Sequence, residues 1–220
     1  YPLRRQRQMC IRDSYEKVLS LTPEYANALF RLGALRLAYG EKNAGFALIS
    51  AARQAEPRLA HAISERCGEI AARYVEQQEY ETAEELYRLA LDISPDDLWH
   101  RVRLGEIAEK QGELENAIEM YVHVLMRAPE SPVTAEKITD LMRRGKLNIN
   151  QFAAIWRQIT DRHPQAGIPN MYLGMALEEM GDMANAIEAY KKALVVMHES
   201  TFISKRLQRL YKDMVSDNNK

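Results

Sequence analysis

Histidine side chains are the residues here best suited to hold a metal ion or move a proton. The chain has five of them, and no two stand three or four residues apart, which is the spacing that places two ligands on one helical face. They are His61, His100, His123, His163 and His198. We therefore expect no metal site and no cofactor.

Nucleophiles and acid–base pairs are equally sparse. No serine lies in a nucleophile-elbow pattern, and no glycine-rich phosphate loop is present. Cys67 occupies a large-residue position of a helical pattern, which favours a buried thiol over a reactive one. Paired acids such as Glu178 and Glu179 are typical of a solvated helix face, because acid–base catalysis needs a shaped pocket. We predict no catalytic residues and no enzyme activity.

Three cations, Arg143, Arg144 and Lys146, end a predicted helix. Cations at a helix C-terminus complement the partial negative charge of the exposed carbonyl groups. A contact with a phosphate group or an acidic peptide is the alternative interpretation of this cluster, and the sequence leaves it open.

A proline repeat marks the helices that must position these side chains. Five of the eight prolines recur at intervals of 34, 38, 34 and 35 residues: Pro23, Pro57, Pro95, Pro129 and Pro164. Each follows a helical pattern, where a proline ends a helix without interrupting it. A period in this range indicates a stacked array of helix pairs.

Two copies of the repeat are especially clear. Leu104, Gly105, Ala117 and Tyr121 recur 69 residues later as Leu173, Gly174, Ala186 and Tyr190. Weaker copies contain Leu32, Gly33 and Ala52, and then Ala83 and Tyr87. Small residues at these positions let paired helices approach closely, and the large ones fill the groove between neighbouring pairs.

With these residues in place, the chain resembles the tetratricopeptide repeat family from Tyr15 onward. That family's pattern has large residues and glycine in the first helix, alanine–aromatic–alanine in the second, and then proline. The resemblance implies an all-α fold, a right-handed superhelical solenoid of antiparallel helix pairs with a C-terminal capping helix.

The pattern predicts repeats over 26–59, 60–97, 98–131, 132–166 and 167–200, a capping helix over 201–215 and a polar tail over 216–220. Residues 15–25 match the end of a truncated repeat. We expect the first helix of the second repeat to be about one turn longer than the others, because extra residues precede it. The fourth repeat is degenerate, with Phe152, Trp156 and Ile159 in place of alanine, aromatic and alanine, and we interpret Trp156 as a core residue.

Residues 1–14 stand apart from this pattern. Residues 4–13 resemble a sequencing-library adapter translated in one frame, and no helical pattern joins them to the repeats. Our hypothesis is that native sequence begins near Tyr15 and that the chain is a fragment of bacterial or metagenomic origin. The alternative is a native basic arm that binds nucleic acid or serves in targeting.

The amino-acid composition narrows the possible partners and the possible location of the protein. The net charge is −1, and without residues 1–14 it becomes −4, from 26 basic and 30 acidic residues. Such a balance offers no concentrated positive field, so we expect no nucleic-acid partner. No apolar run is long enough for a transmembrane segment. Cys67 is then the only cysteine, which suits a reducing compartment, and a cytoplasmic location is weakly favoured.

The resemblance also implies where a partner binds, because first helices line a concave groove in this family. The corresponding residues are Asn27, Phe30, Trp99, Val102, Glu106, Glu136, Asp140, Met171, Met175 and Glu178. The lysine and asparagine clamp with which some family members hold a carboxylate is absent. Acids and apolar side chains together suit a peptide with basic and apolar residues. Trp99 is either an anchor for that peptide or simply packs at the rim.

Three functions follow, in order of preference. The first is a non-catalytic protein–protein interaction scaffold, or adaptor. The second is an accessory repeat region of a larger enzyme, for example a transferase, whose catalytic domain lies upstream. The third is a helical-repeat RNA binder, which would need basic reading positions that this groove lacks. The sequence leaves the oligomeric state open.

Overall fold

A computed structural model of the chain describes residues 2–217, with side chains for residues 9–214. Every regular element in this range is helical and no strand occurs there, which confirms the predicted all-α class. Of the predicted polar tail, residues 218–220 lie outside the described residues, as does residue 1. None of the described helices combines the length and the apolar character that crossing a bilayer requires.

The chain divides into two compact units, Tyr1–Ile107 and Ala108–Lys220. The first contains α1 (Pro2–Leu21), α2 (Ala26–Ala38), α3 (Lys42–Ala55), a 3-10 helix (Pro57–Leu59), α4 (Ala60–Glu76), α5 (Tyr80–Ile93) and most of α6 (Leu98–Gln111). The second contains the end of α6, α7 (Leu114–Arg127), α8 (Pro132–Arg143), α9 (Ile149–Arg162), α10 (Gly167–Glu179), α11 (Met183–Val196) and α12 (Thr201–Asp217). The five predicted repeats begin at the first residues of α2, α4, α6, α8 and α10. The grouping of these helices into repeats stays a prediction.

Proline and glycine set the helix ends. Each of the five periodic prolines stands two residues after the last residue of α1, α3, α5, α7 or α9. Gly40, Gly112 and Gly181 occupy the turns within pairs at φ of 78°, 83° and 82°, a region that glycine enters without steric cost. The first helix of the second pair, α4, has 17 residues against 13 in α2.

The turn between α4 and α5 has Gln78 at φ 63°, where the other pairs have glycine. A residue with a Cβ atom is strained in this region. We expect Gln78→Gly to raise the free energy of unfolding by about 0.5–1 kcal/mol, after allowing for the greater freedom of glycine in the unfolded chain. Urea denaturation checks this, with Gly112→Gln as the reverse change, expected to cost about 1–2 kcal/mol. A less stable Gln78→Gly variant would contradict the explanation.

Helix pairs close over small residues. A Cβ atom on Gly33 in α2 would lie 2.9 Å from both the carbonyl oxygen of Gly45 and Cγ1 of Ile49 in α3. A Cβ atom on Gly174 in α10 would lie 2.8 Å from the Tyr190 ring in α11. These two glycines therefore face different partners, which are the backbone and an isoleucine of the second helix for Gly33 and an aromatic ring for Gly174.

The predicted repeat positions lie in the interior. Of these thirteen residues only Leu173 is partly exposed, and the others are buried: Leu32, Gly33, Ala52, Ala83, Tyr87, Leu104, Gly105, Ala117, Tyr121, Gly174, Ala186 and Tyr190. In the degenerate fourth pair Phe152, Trp156 and Ile159 are buried as well. Trp156 stacks on Tyr172 with ring centroids 4.8 Å apart. The interpretation of Trp156 as a core residue is confirmed.

Helix α1 differs from the expectation for the N-terminal residues. It runs from Pro2 to Leu21 and so continues across the expected junction between Ser14 and Tyr15. Arginine, glutamine and leucine have high helix propensity, which accounts for helix formation without an apolar repeat. The side chain of Arg36 in α2 donates a 2.8 Å hydrogen bond to Glu16. The adapter origin of residues 4–13 stays a hypothesis about the gene.

Helix α12 covers the last helix pair. Its residues Ile203, Leu207 and Leu210 are buried against α10 and α11. Three further large apolar residues of this helix are exposed, namely Phe202, Tyr211 and Met214. The opposite face presents Ser204, Lys205, Gln208 and Lys212 to solvent.

Candidate functional site

The candidate binding residues of the first unit divide into exposed and buried ones. Asn27 is exposed, and Trp99 leaves 53% of its surface accessible. Phe30 and Val102 are only 8% and 4% exposed, so they contribute to packing rather than to an open surface. Of the apolar residues predicted for this unit, Trp99 alone is open to a partner.

Trp99 is held in place although it is exposed. Its backbone amide donates a 2.9 Å hydrogen bond to Oδ1 of Asp97, which lies at the start of α6. The guanidinium of Arg103, one turn later, lies 4.1 Å from the centroid of the indole ring. Arg103 also donates a 2.6 Å hydrogen bond to Glu106. Arg103 thus covers one face of the indole. Arg103 is itself held by Glu106, which is one of the predicted binding residues.

Predicted acidic residues in the second unit already have cationic partners. Glu136 pairs with Arg143 at 2.7 Å, and Asp140 pairs with Arg144 at 2.8 Å. Two of the three cations at the end of α8, Arg143 and Arg144, are thus paired with acids of the same helix. Glu136 and Asp140 are therefore not free acids, because each is already paired within the protein.

Glu178 is the most densely bonded of these acids. Its carboxylate accepts a 2.8 Å hydrogen bond from the Tyr190 hydroxyl and a 3.0 Å bond from Arg206, and it also pairs with Arg209. Burial raises the pKa of Tyr190 to about 12, so its hydroxyl remains a donor at neutral pH. Glu178 joins α10, α11 and α12, and its principal role in the free protein is structural.

A second glutamate that binds both a tyrosine hydroxyl and an arginine was not predicted from the sequence. The Tyr121 hydroxyl donates a 2.6 Å hydrogen bond to Glu109, and Arg144 pairs with the same carboxylate. Glu109 precedes Tyr121 by 12 residues, as Glu178 precedes Tyr190. The sequence does indicate this second pair, because Glu109 and Tyr121 recur 69 residues later as Glu178 and Tyr190.

A pocket of about 290 Å³ opens in the second unit, between α8, α9, α10 and α12. Its wall includes two predicted binding residues, Met175 and Glu178. Met171 is partly buried and packs against the core between α10, α11 and α12. The pocket is lined by Thr139, Met142, Phe152, Met175, Ala176, Glu178, Glu179 and Arg206.

His100 is the one buried histidine among the described side chains. Its ring lies against Tyr87 in α5, with centroids 5.7 Å apart, and fills the space where Gly68 in α4 has no side chain. Nδ1 lies 3.0 Å from the Asp97 carboxylate, but without the alignment that a hydrogen bond requires. Burial lowers the pKa of His100 more than the charge of Asp97 raises it.

This lowered pKa makes stability depend on pH. The unfolded chain binds a proton at its His100 position below about pH 6.5, whereas the folded state resists protonation until a lower pH. The free energy of unfolding is therefore expected to fall as the pH drops from about 6.5 towards the folded-state pKa. Urea titrations at about pH 7.5 and about pH 5.5 should show a smaller decrease for His100→Gln than for the wild type. Equal decreases would contradict this role.

The other groups singled out for chemistry are protected or dispersed. Cys67 is fully buried, and burial raises the pKa of its thiol to about 12, so the thiol stays protonated. The ring of His163 hydrogen-bonds the carbonyl oxygen of Met126 at 2.9 Å. Across residues 9–214, no three histidine, cysteine, aspartate or glutamate side chains are grouped to hold a metal ion.

Helix pairs that close over glycine or alanine and end before a proline define a helical-repeat protein. Comparison with protein families makes this specific, since residues 74–135 and residues 172–194 match tetratricopeptide repeat models. These segments are tetratricopeptide repeats, which confirms the resemblance predicted from the sequence. No curated protein sequence matches the chain significantly.

Solved structures with a similar arrangement share little sequence with this chain. One is MamA 41-end from Desulfovibrio magneticus RS-1, at 15% identity and a TM-score of 0.44, covering 71% of this chain and 88% of that one. YrrB, described as a tetratricopeptide-repeat protein with an unusual peptide-binding site, has 14% identity and a TM-score of 0.42, with coverage of 89% and 97%. A thermophilic repeat protein from Thermus thermophilus has 21% identity, a TM-score of 0.39 and coverage of 69% and 82%.

Proposed function

We propose that this chain is a non-catalytic interaction scaffold that binds a peptide segment of a partner protein. Tetratricopeptide repeats are generally non-catalytic modules that bind proteins or peptides, and the chain contains such repeats. The observation that carries the proposal is Trp99, a large aromatic side chain that is half exposed yet fixed by Arg103. Rigid aromatic side chains on a surface are the residues most often found at the energetic centre of an interface.

The ion pairs refine the chemistry of the ligand. Because Glu136, Asp140 and Glu178 are already paired with arginines, a partner gains little from simply adding positive charge. Apolar side chains of the peptide supply most of the affinity, and charged residues select its orientation. The pairs with Glu136 and Asp140 also leave Arg143 and Arg144 without the free positive charge that a nucleic-acid partner needs, which weighs against RNA binding at this helix end.

The proposal is tested with peptides selected from a displayed random library against the whole chain. Affinities are measured by fluorescence polarisation of labelled peptides. We expect Trp99→Ala to weaken binding by about 2 kcal/mol, or roughly 30-fold, because it removes an anchor. The intrinsic fluorescence of Trp99 should also respond to the peptide, whereas that of buried Trp156 should not.

Tyr25→Ala is the matched control. Tyr25 is an aromatic residue of the same unit with 50% of its surface exposed, and it lies outside the candidate binding residues. Its replacement should leave the affinity unchanged. If Trp99→Ala binds as tightly as the wild type and has an unchanged circular dichroism spectrum, Trp99 is not an anchor and the proposal loses its main support.

A further inference from the structure

We propose that the pocket between α8, α9, α10 and α12 receives one large apolar side chain of the bound peptide, with a basic residue on one side of it and an acidic residue on the other. The inference rests on the proposed function, because it names the chemistry of the segment that the scaffold binds. It concerns residues of the second unit only.

The floor of the pocket is apolar and rigid. Met142, Met175 and Phe152 line it, and Phe152 is buried. The Phe152 ring meets Trp156 and Tyr172 edge-on, with centroids 5.8 Å and 6.3 Å away, so these two rings fix its position. A volume of about 290 Å³ lies at the lower limit for small-molecule sites and suits a single leucine, methionine or phenylalanine side chain.

One edge of the pocket has an unbalanced negative charge. Glu179, the last residue of α10, lines the pocket and is exposed. Within residues 9–214 it has neither a hydrogen-bond nor an ion-pair partner, unlike its neighbour Glu178. A lysine or arginine of the peptide can therefore pair with Glu179 without displacing an existing contact.

Helix α12 contributes an excess of positive charge beside the pocket. Arg206 and Arg209 share the single carboxylate of Glu178, which leaves one positive charge uncompensated there. Arg206 lines the pocket, and its guanidinium also lies 5.3 Å from the centroid of the Phe202 ring. Each guanidinium has more N–H groups than these contacts use, so an acidic residue of the peptide has donors available.

A free negative charge on α10 and a positive charge on α12 favour one direction of the peptide over the other. With the chain reversed, each charged residue of the peptide would face a like charge, which is unfavourable beside a partly desolvated site. The pocket therefore sets both the composition of the ligand and its orientation.

The test compares libraries selected against the wild type, Glu179→Lys and Glu119→Lys. Glu119 is an exposed acid of α7 that does not line the pocket, and its reversal is the control. We expect wild-type selections to enrich a large apolar residue with lysine or arginine on one side and aspartate or glutamate on the other, in a single order. Glu179→Lys should replace that basic preference with aspartate or glutamate and weaken the original peptide about tenfold or more, whereas Glu119→Lys should do neither.

The apolar floor is tested separately by methyl NMR of the methionines in the full chain. The selected peptide should shift the Met142 and Met175 methyl signals, and Met142→Lys should abolish its binding while Met142→Leu retains it. If peptides bind but Glu179→Lys keeps the wild-type preference, or neither methyl signal moves, the pocket assignment is wrong and the scaffold proposal stands. If no peptide binds the wild type, both proposals fail.

Discussion

Replacing Trp156 with alanine is expected to lower the free energy of unfolding by about 3–5 kcal/mol. The indole is 0% exposed and stacks on Tyr172 at a centroid distance of 4.8 Å, with Phe152 edge-on at 5.8 Å. Alanine would remove the contacts of the largest fully buried side chain in the described part of the protein and leave a cavity among rings that cannot close it. The loss should appear as a lower urea midpoint, followed by circular dichroism.

Two further replacements show whether the loss of stability in Trp156→Ala comes from the buried position and from the packing of the ring. Trp99→Ala removes the exposed tryptophan and should cost less than about 1 kcal/mol. Trp156→Phe keeps the aromatic packing and removes an indole N–H that is buried without a hydrogen-bond partner in the described residues. Because an unsatisfied buried donor is itself unfavourable, we expect Trp156→Phe to cost much less than alanine. An alanine variant as stable as the phenylalanine variant would show that the packing of the ring contributes little.

The helices could be predicted well because their limits depend on local chemistry. A proline can follow a helix but not continue it, and Gly112 or Gly181 is needed where the backbone enters the left-handed region. Such constraints act within a few residues, so their spacing along the sequence is the spacing of the helices. Gln78 shows the limit of the rule, since a turn of the same kind forms there without glycine.

The candidate site could be predicted only in part, because exposure and pairing depend on distant residues. Phe30 and Val102 follow the family positions of the groove, yet neighbouring helices bury them. Glu178 counts as a free acid in the sequence, but Arg206 and Arg209 reach it from α12, 28 and 31 residues further along the chain. Neither the composition nor the period of the repeat specifies which long side chains meet across helices.

Leucine in place of a buried alanine is the second change that we expect to lower the free energy of unfolding strongly, because paired helices pack closely at these positions. Ala117 in α7 and Ala186 in α11 are both fully buried, and they occupy the same repeat position 69 residues apart. Leucine at either site should overpack the contact and cost about 1–3 kcal/mol. Because the two sites lie on different helices, the costs should add to about 2–6 kcal/mol in the double variant, as measured by urea denaturation.

Ala184→Leu is the control for helix propensity and added apolar surface, since Ala184 lies on α11 as well but is exposed. This variant should be within about 0.5 kcal/mol of the wild type. Ala186 packs in the same core as Tyr190 and Ile203, so a neutral Ala186→Leu would mean that α10, α11 and α12 can separate without loss. Neutral results at both sites would contradict the repeat register, because in these two pairs it places a small residue where the second helix meets the first.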